Sequence, residues 1–155
     1  MTSTSEHPII IGIDPGQTGA IATIWPHSIG VIDMPPTAKD LVDALKHYAP
    51  GFYDWPAMAF VEQAQSMPGQ GVSSTFKYGV GYGTILGVLA ALGIAHRLVA
   101  PATWKRQMHV TKDKNAARQI AQQLFPEAPL SRVKDHGRAE ALLLAEWGRR
   151  QGGQP

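Results

Sequence analysis

A mixed α/β fold, a five-stranded sheet with helices on both faces, is predicted by three observations. Three short apolar runs stand close together at the start of the chain. Helical and strand-like segments then alternate through the middle, and two helical segments close it. Residues 8 to 14 (PIIIGID), 19 to 25 (GAIATIW) and about 29 to 33 (IGVID) are the first three strands, separated by turn residues at Pro15-Gly16 and Pro26 to Ser28. They predict an antiparallel meander. Residues 39 to 48 place Leu41, Val42, Leu45 and Tyr48 at helical spacing, and residues 57 to 62 (AMAFVE) follow as a strand. A long helix is expected from about 73 to 92, capped by Ser73, Ser74 or Thr75, and a fifth strand from 95 to 99, ending before Pro101. Helices over about 112 to 124 and 136 to 150, joined by the turn FPEAPLS, complete the chain.

Length and composition narrow the classes. The 155 residues fit one domain with one core, 1–155, with residues 1–7 and 151–155 as flexible ends. The chain has no cysteine, which removes disulfides, Cys-type zinc sites and thiol catalysis. The opening MTSTSEHP lacks the basic and apolar regions of a secretory signal, so the chain is expected to stay in the cytoplasm. Residues Tyr78 to Ala95 are uncharged, but five glycines interrupt them. At about 1 kcal/mol per Gly relative to Ala, a buried soluble helix is the better reading than a membrane span.

The net charge of +2 is small, and its distribution says more. Arg97, Lys105, Arg106, Lys112, Lys114 and Arg118 face a single acid, Asp113, in one stretch, and Arg132, Lys134 and Arg138 form a second basic group. A solvated charged face would look similar. A polyanionic partner is favoured because both groups border a set of acids: Asp14, Glu62, Asp135 and Glu140. Asp14 ends the apolar run of the first strand, where a carboxylate is costly unless a cation sits against it. Asp14 and Glu62 emerge at one edge of the sheet if their strands are parallel neighbours. His136 and Glu140 share a helix face through their spacing of four. A few carboxylates and a substrate phosphate suffice to hold Mg²⁺.

The segments GIDPGQTGA, FVEQAQSMPGQG and KDHGRAEALLLAEWG resemble the RuvC family of Holliday junction resolvases, most closely its phage-type members, over about residues 8 to 150. The resemblance implies a ribonuclease H-like fold and a homodimer in the cytoplasm of a bacterium or a phage-infected host. It also implies paired, symmetric, Mg²⁺-dependent cuts in four-way junction DNA. Asp14, Glu62 and Glu140 match the family's acids. Many members place an Asp or His three residues before the last acid, where this chain has Gly137, so His136 or Asp135 must substitute. Asp135 could instead cap the helix. Two ions per site, with Mn²⁺ as a substitute, would lie about 3.5 to 4 Å apart. Lys105 and Lys114, or Lys112 in place of Lys114, match basic residues used near the scissile phosphate, and Arg106 adds to the DNA-binding set.

The loop Gln65 to Thr75 follows Glu62 directly and is expected to touch DNA. Met67 and Gln70 are the candidates for an inserted wedge, and Ser73 and Ser74 for phosphate contacts. Phe76 and Tyr78 read as core. Gly79, Gly83 and Gly87 recur every four residues and give the long helix a flat face, either against the sheet or at a dimer contact. Trp25, Trp55, Trp104 and Trp147 read as core or interface residues. GIDPGQTG also resembles the first phosphate loop of actin-like ATPases, but those need two such domains. No P-loop lysine motif, dinucleotide fingerprint or HExxH arrangement is present, so neither a nucleotide cofactor nor zinc is expected. The other readings are a branched-DNA-binding protein without cleavage and a nuclease for other branched DNA.

Overall fold

A computed structural model of the chain describes residues 7–65 and 68–153. Strands β1 (Ile9–Asp14), β2 (Ala20–Ile24), β3 (Ile29–Asp33), β4 (Ala57–Glu62) and β5 (Ala95–Val99) form one sheet in the order β3-β2-β1-β4-β5. The meander is antiparallel, while β1–β4 and β4–β5 are parallel. The run of isoleucines in β1 has a direct cause: as the central strand it is buried on both faces.

Helices α1 (Ala38–Leu45) and α2 (Val72–Ala91) cover one face, against Ile11, Ile13, Ile21, Ala59 and Val61. Helices α3 (Pro101–Gln107), α4 (Lys114–Leu124) and α5 (His136–Arg150) cover the other, where Ile10, Ala22, Met58 and Phe60 meet Trp104, Ala121 and the apolar face of α5. A side chain at Gly12 would run into the backbone of Ala141 and Ala145, so this glycine lets α5 lie directly on β1. Among the described residues, no helix is long and apolar enough to cross a membrane.

Local differences from the sequence expectation have physical reasons. Helix α3 was not anticipated; Pro101 does end the strand region, but it also opens a helix as its first residue, where its missing N–H costs nothing. The cap of α2 is Gly71, without a side-chain bond, so Ser73 and Ser74 lie inside the first turn. The end of α1 tightens into a 3₁₀ turn over Lys46–Tyr48.

Phe76 is not core: it is 71% exposed, in line with exposed Val72 and Val80 on one side of α2. Nor do Gly79, Gly83 and Gly87 pack on the sheet, because a side chain at any of them would meet open space. Trp25 belongs to an aromatic cluster with Tyr48, Tyr53 and Trp55, at ring separations of 5.4 to 6.1 Å. That cluster lies where β2 ends and β4 begins, at the opposite end of the sheet from Asp14 and Glu62.

Candidate metal centre

Asp14 and Glu62 are the last residues of β1 and β4, and the register pairs Ile13 with Val61 just before them. Parallel strands in that register deliver both carboxylates to the same end of the sheet. Glu140 reaches them from the second turn of α5. One carboxylate oxygen from each of the three lies within 4.8 Å of the others, and these three alone form such a group among the described residues.

The approach of α5 depends on Gly137. A side chain there would strike the carbonyl of Thr18 in the turn between β1 and β2. The position three residues before Glu140 is therefore filled by backbone contact, and a ligand cannot stand on it. What looked like a missing ligand is the close approach that brings the start of α5 down beside Asp14.

Three acids this close repel one another. Burial holds the Asp14 carboxyl well above its usual range, Glu140 and Glu62 push it further, and Lys105 opposes them. Glu62 is raised by burial too, against the lowering effects of Lys105 and of a hydrogen bond from Trp104. The Lys105 ammonium lies 3.4 Å from Glu140 Oε1 and 3.9 Å from Glu62 Oε2. Among the described residues one ammonium, that of Lys105, is paired with these carboxylates, and all three offer hard oxygen donors. That chemistry fits a divalent cation of the Mg²⁺ or Mn²⁺ kind.

Two residues whose sequence pattern predicts packing, Trp104 in the core or an interface and Tyr78 in the core, border the site. The buried indole N–H of Trp104 donates to Glu62 Oε2 at 2.8 Å. The Tyr78 ring stands against the Gly16 turn, where burial and the charges of Asp14 and Glu62 push its hydroxyl up to about 12. Periodicity could not separate either from ordinary packing. The adjacency of Trp104 to Lys105 was the available signal for the first.

The remaining predicted residues divide. Asp135 is not brought to the site. It sits in a 3₁₀ turn over Val133–Asp135, 2% exposed, where Arg132 donates from its backbone and from Nε and Nη2 at 2.7 to 2.9 Å. With both oxygens engaged, Asp135 is, against the sequence expectation, a structural ion-pair partner and not a ligand. His136 opens α5, one turn before Glu140 and outside the three-carboxylate group.

Arg106 and Lys112 are exposed, the former on α3 and the latter before α4. Lys114 is the first residue of α4. Two of the second basic group are occupied elsewhere. Arg132 holds Asp135, and Arg138 makes a bidentate pair with Asp33 at 2.6 and 3.0 Å. Ser73 and Ser74 are exposed in the first turn of α2, with Gln70 Nε2 3.4 Å from Ser74 Oγ. Met67 lies outside the described residues.

No family model matches the chain. It is 34% identical over 92 residues to the Holliday junction resolvase MOC1, chloroplastic, of Chlamydomonas reinhardtii. The match takes in 57% of this chain but 10% of that protein, so the chain spans about a tenth of the relative's length. A chloroplastic relative lends no support to the expected bacterial or phage setting. Among solved structures, Thermus thermophilus RuvC in complex with Holliday junction substrate superimposes with a TM-score of 0.64 at 18% identity, over 94% of this chain and 97% of that one. A second Thermus thermophilus RuvC structure gives 0.56 at 18% identity over 93% and 96%. The architecture is thus ribonuclease H-like, a mixed five-stranded sheet flanked by helices as in RuvC.

Proposed function

We propose that this chain is a nuclease domain that binds four-way DNA junctions as a homodimer and resolves them by paired, symmetric, divalent-metal-dependent cuts. The observation that carries the reading is the convergence of Asp14, Glu62 and Glu140 at one end of the sheet. Likeness to RuvC along nearly the whole chain, and to a relative named as a Holliday junction resolvase, supports the choice of substrate.

Asp14, Glu62 and Glu140 hold the ions, with His136 as the fourth donor on the same face of α5 as Glu140. Mg²⁺ is the proposed ion, two per site, with Mn²⁺ as a substitute. A divalent ion held there supplies Lewis acidity toward a phosphodiester and acidifies a water nucleophile. The chain's own residues do the rest. Lys105, beside the carboxylates, binds the scissile phosphate and stabilises its developing charge. Arg106, Lys112 and Lys114 carry the flanking backbone, and the segment from Met67 through Gln70 to Ser73 and Ser74 meets the crossover next to the cut.

The dimer is proposed through α2. Exposed Val72, Phe76 and Val80 form an apolar stripe, and the open faces of Gly79, Gly83 and Gly87 let a second backbone approach. Two active sites related by a two-fold axis would then address symmetric strands.

Cleavage of a labelled synthetic four-way junction, beside a linear duplex of matching sequence, tests the reading. Paired nicks in opposite arms that ligase can seal, present with Mg²⁺ and absent with chelator, are expected. Equal cutting of the duplex would remove junction selectivity, and an intact but bound junction under both Mg²⁺ and Mn²⁺ would leave a junction-binding protein.

A further inference from the structure

We propose that Trp104 is a positioning residue for the cation site, its indole N–H fixing the Glu62 carboxylate so that one oxygen belongs to the protein and the other to the ion. The inference rests on the metal-centre reading above. Trp104 is 1% exposed, packed in the core beneath the site, and the only polar atom of its side chain donates to Glu62 Oε2 at 2.8 Å. Lys105, the next residue on α3, faces that same oxygen at 3.9 Å. Both contacts fall on Oε2, which leaves Oε1 for a cation.

Each partner needs the other. A buried indole N–H without an acceptor carries the full cost of its lost hydration, and Glu62 is the acceptor that the end of β4 supplies. A free glutamate side chain loses rotamer entropy when it is ordered. Here that ordering is completed during folding, before any ion arrives. Polar partners behind a ligating carboxylate orient it and tune its basicity, and losing one lowers metal affinity about 10- to 100-fold. Glu62 is the ligand most in need of such support. Asp14 has a short side chain fixed by the central strand, and Glu140 is carried on a helix locked against Thr18 by Gly137.

A suitable control exists in the same region. Trp147 is also buried and donates its indole N–H to α3, but to Gln107 Oε1 rather than to a ligand. The experiment is a Mn²⁺ titration of the full chain without DNA, with free Mn²⁺ counted by electron paramagnetic resonance. It compares wild type, Trp104→Phe and Trp147→Phe, each first shown to be folded by circular dichroism.

Trp104→Phe should raise the Mn²⁺ dissociation constant about tenfold, while Trp147→Phe stays within about twofold of wild type. In junction cleavage, the Mn²⁺ concentration for half-maximal rate should shift by the same factor, with the saturated rate nearly unchanged. If Trp104→Phe does not fold, benzothienylalanine at position 104 keeps the ring shape and removes only the N–H. Wild-type affinity in either Trp104 variant overturns the proposal, as does an equal loss in Trp147→Phe. A wild-type protein that binds no Mn²⁺ instead overturns the metal-centre reading beneath it.

Discussion

Asp135 and Glu140 stand five positions apart at the start of one helix, and the fold treats them in opposite ways. Around Asp135, burial alone would raise the carboxyl, but the Arg132 side-chain and backbone donors, with help from the Arg138 charge, bring it below its usual range. Its two oxygens are fully engaged. Around Glu140, the nearest partners are two further acids and one lysine ammonium. There the balance leaves Asp14 and Glu62 raised. Proximity in sequence therefore says little about role. A carboxylate satisfied by protein donors is structure, while carboxylates collected without enough of them await a cation.

The largest expected effect separates the two acids by activity. Glu140→Gln should lower junction cleavage more than about a hundredfold, the range that losing even an outer partner of a ligand can reach, with junction affinity retained. Asp135→Asn should leave cleavage per folded molecule within about twofold, as read by single-turnover kinetics. Similar losses in both would erase the distinction.

Stability should separate them the other way. Asp135→Asn weakens the pair with Arg132 and should cost about 2 kcal/mol by urea unfolding. That is below the 3–5 kcal/mol of a fully buried pair because Arg132 remains half exposed to water. The folded pKa of Asp135 is depressed, so its contribution is present above the ordinary carboxylate pKa and fades as pH falls through that value toward the depressed one.

The smallest effect has the opposite sign. The folded pKa of Asp14 is raised, so the metal-free protein loses stability as pH climbs from the ordinary carboxylate value through the raised one. Asp14→Asn should therefore raise the melting temperature of the chelated protein at neutral pH by about 2–4 °C for each kcal/mol of burial cost and repulsion removed. A melting temperature that falls in chelator would show that the buried Asp14 charge does not destabilise the metal-free fold.

Much of this was legible in the sequence. β4 and β5 run over the residues that the apolar runs and turn residues indicate, and α5 matches its helical period. The three converging acids follow from strand ends and helical spacing once β1 and β4 are parallel neighbours. What escaped depended on tertiary contact. Gly137 read as a lost ligand because nothing in the chain announces that Thr18 will lie against it. Asp135 reads as a possible ligand because its arginine partner, Arg132, is three residues away in a turn that no periodicity marks. Phe76 read as core from its hydrophobicity alone, whereas its neighbours at spacing four are exposed with it. α3 was hidden by its seven-residue length and its opening proline.

The most direct test of the cation site is calorimetric titration of the chelated, DNA-free protein with Mn²⁺ at neutral pH, wild type beside Asp14→Asn. The account predicts saturable binding to wild type that weakens at least about tenfold in the variant. Binding of equal strength in both, or none to wild type, would contradict the assignment of Asp14, Glu62 and Glu140 as its ligands.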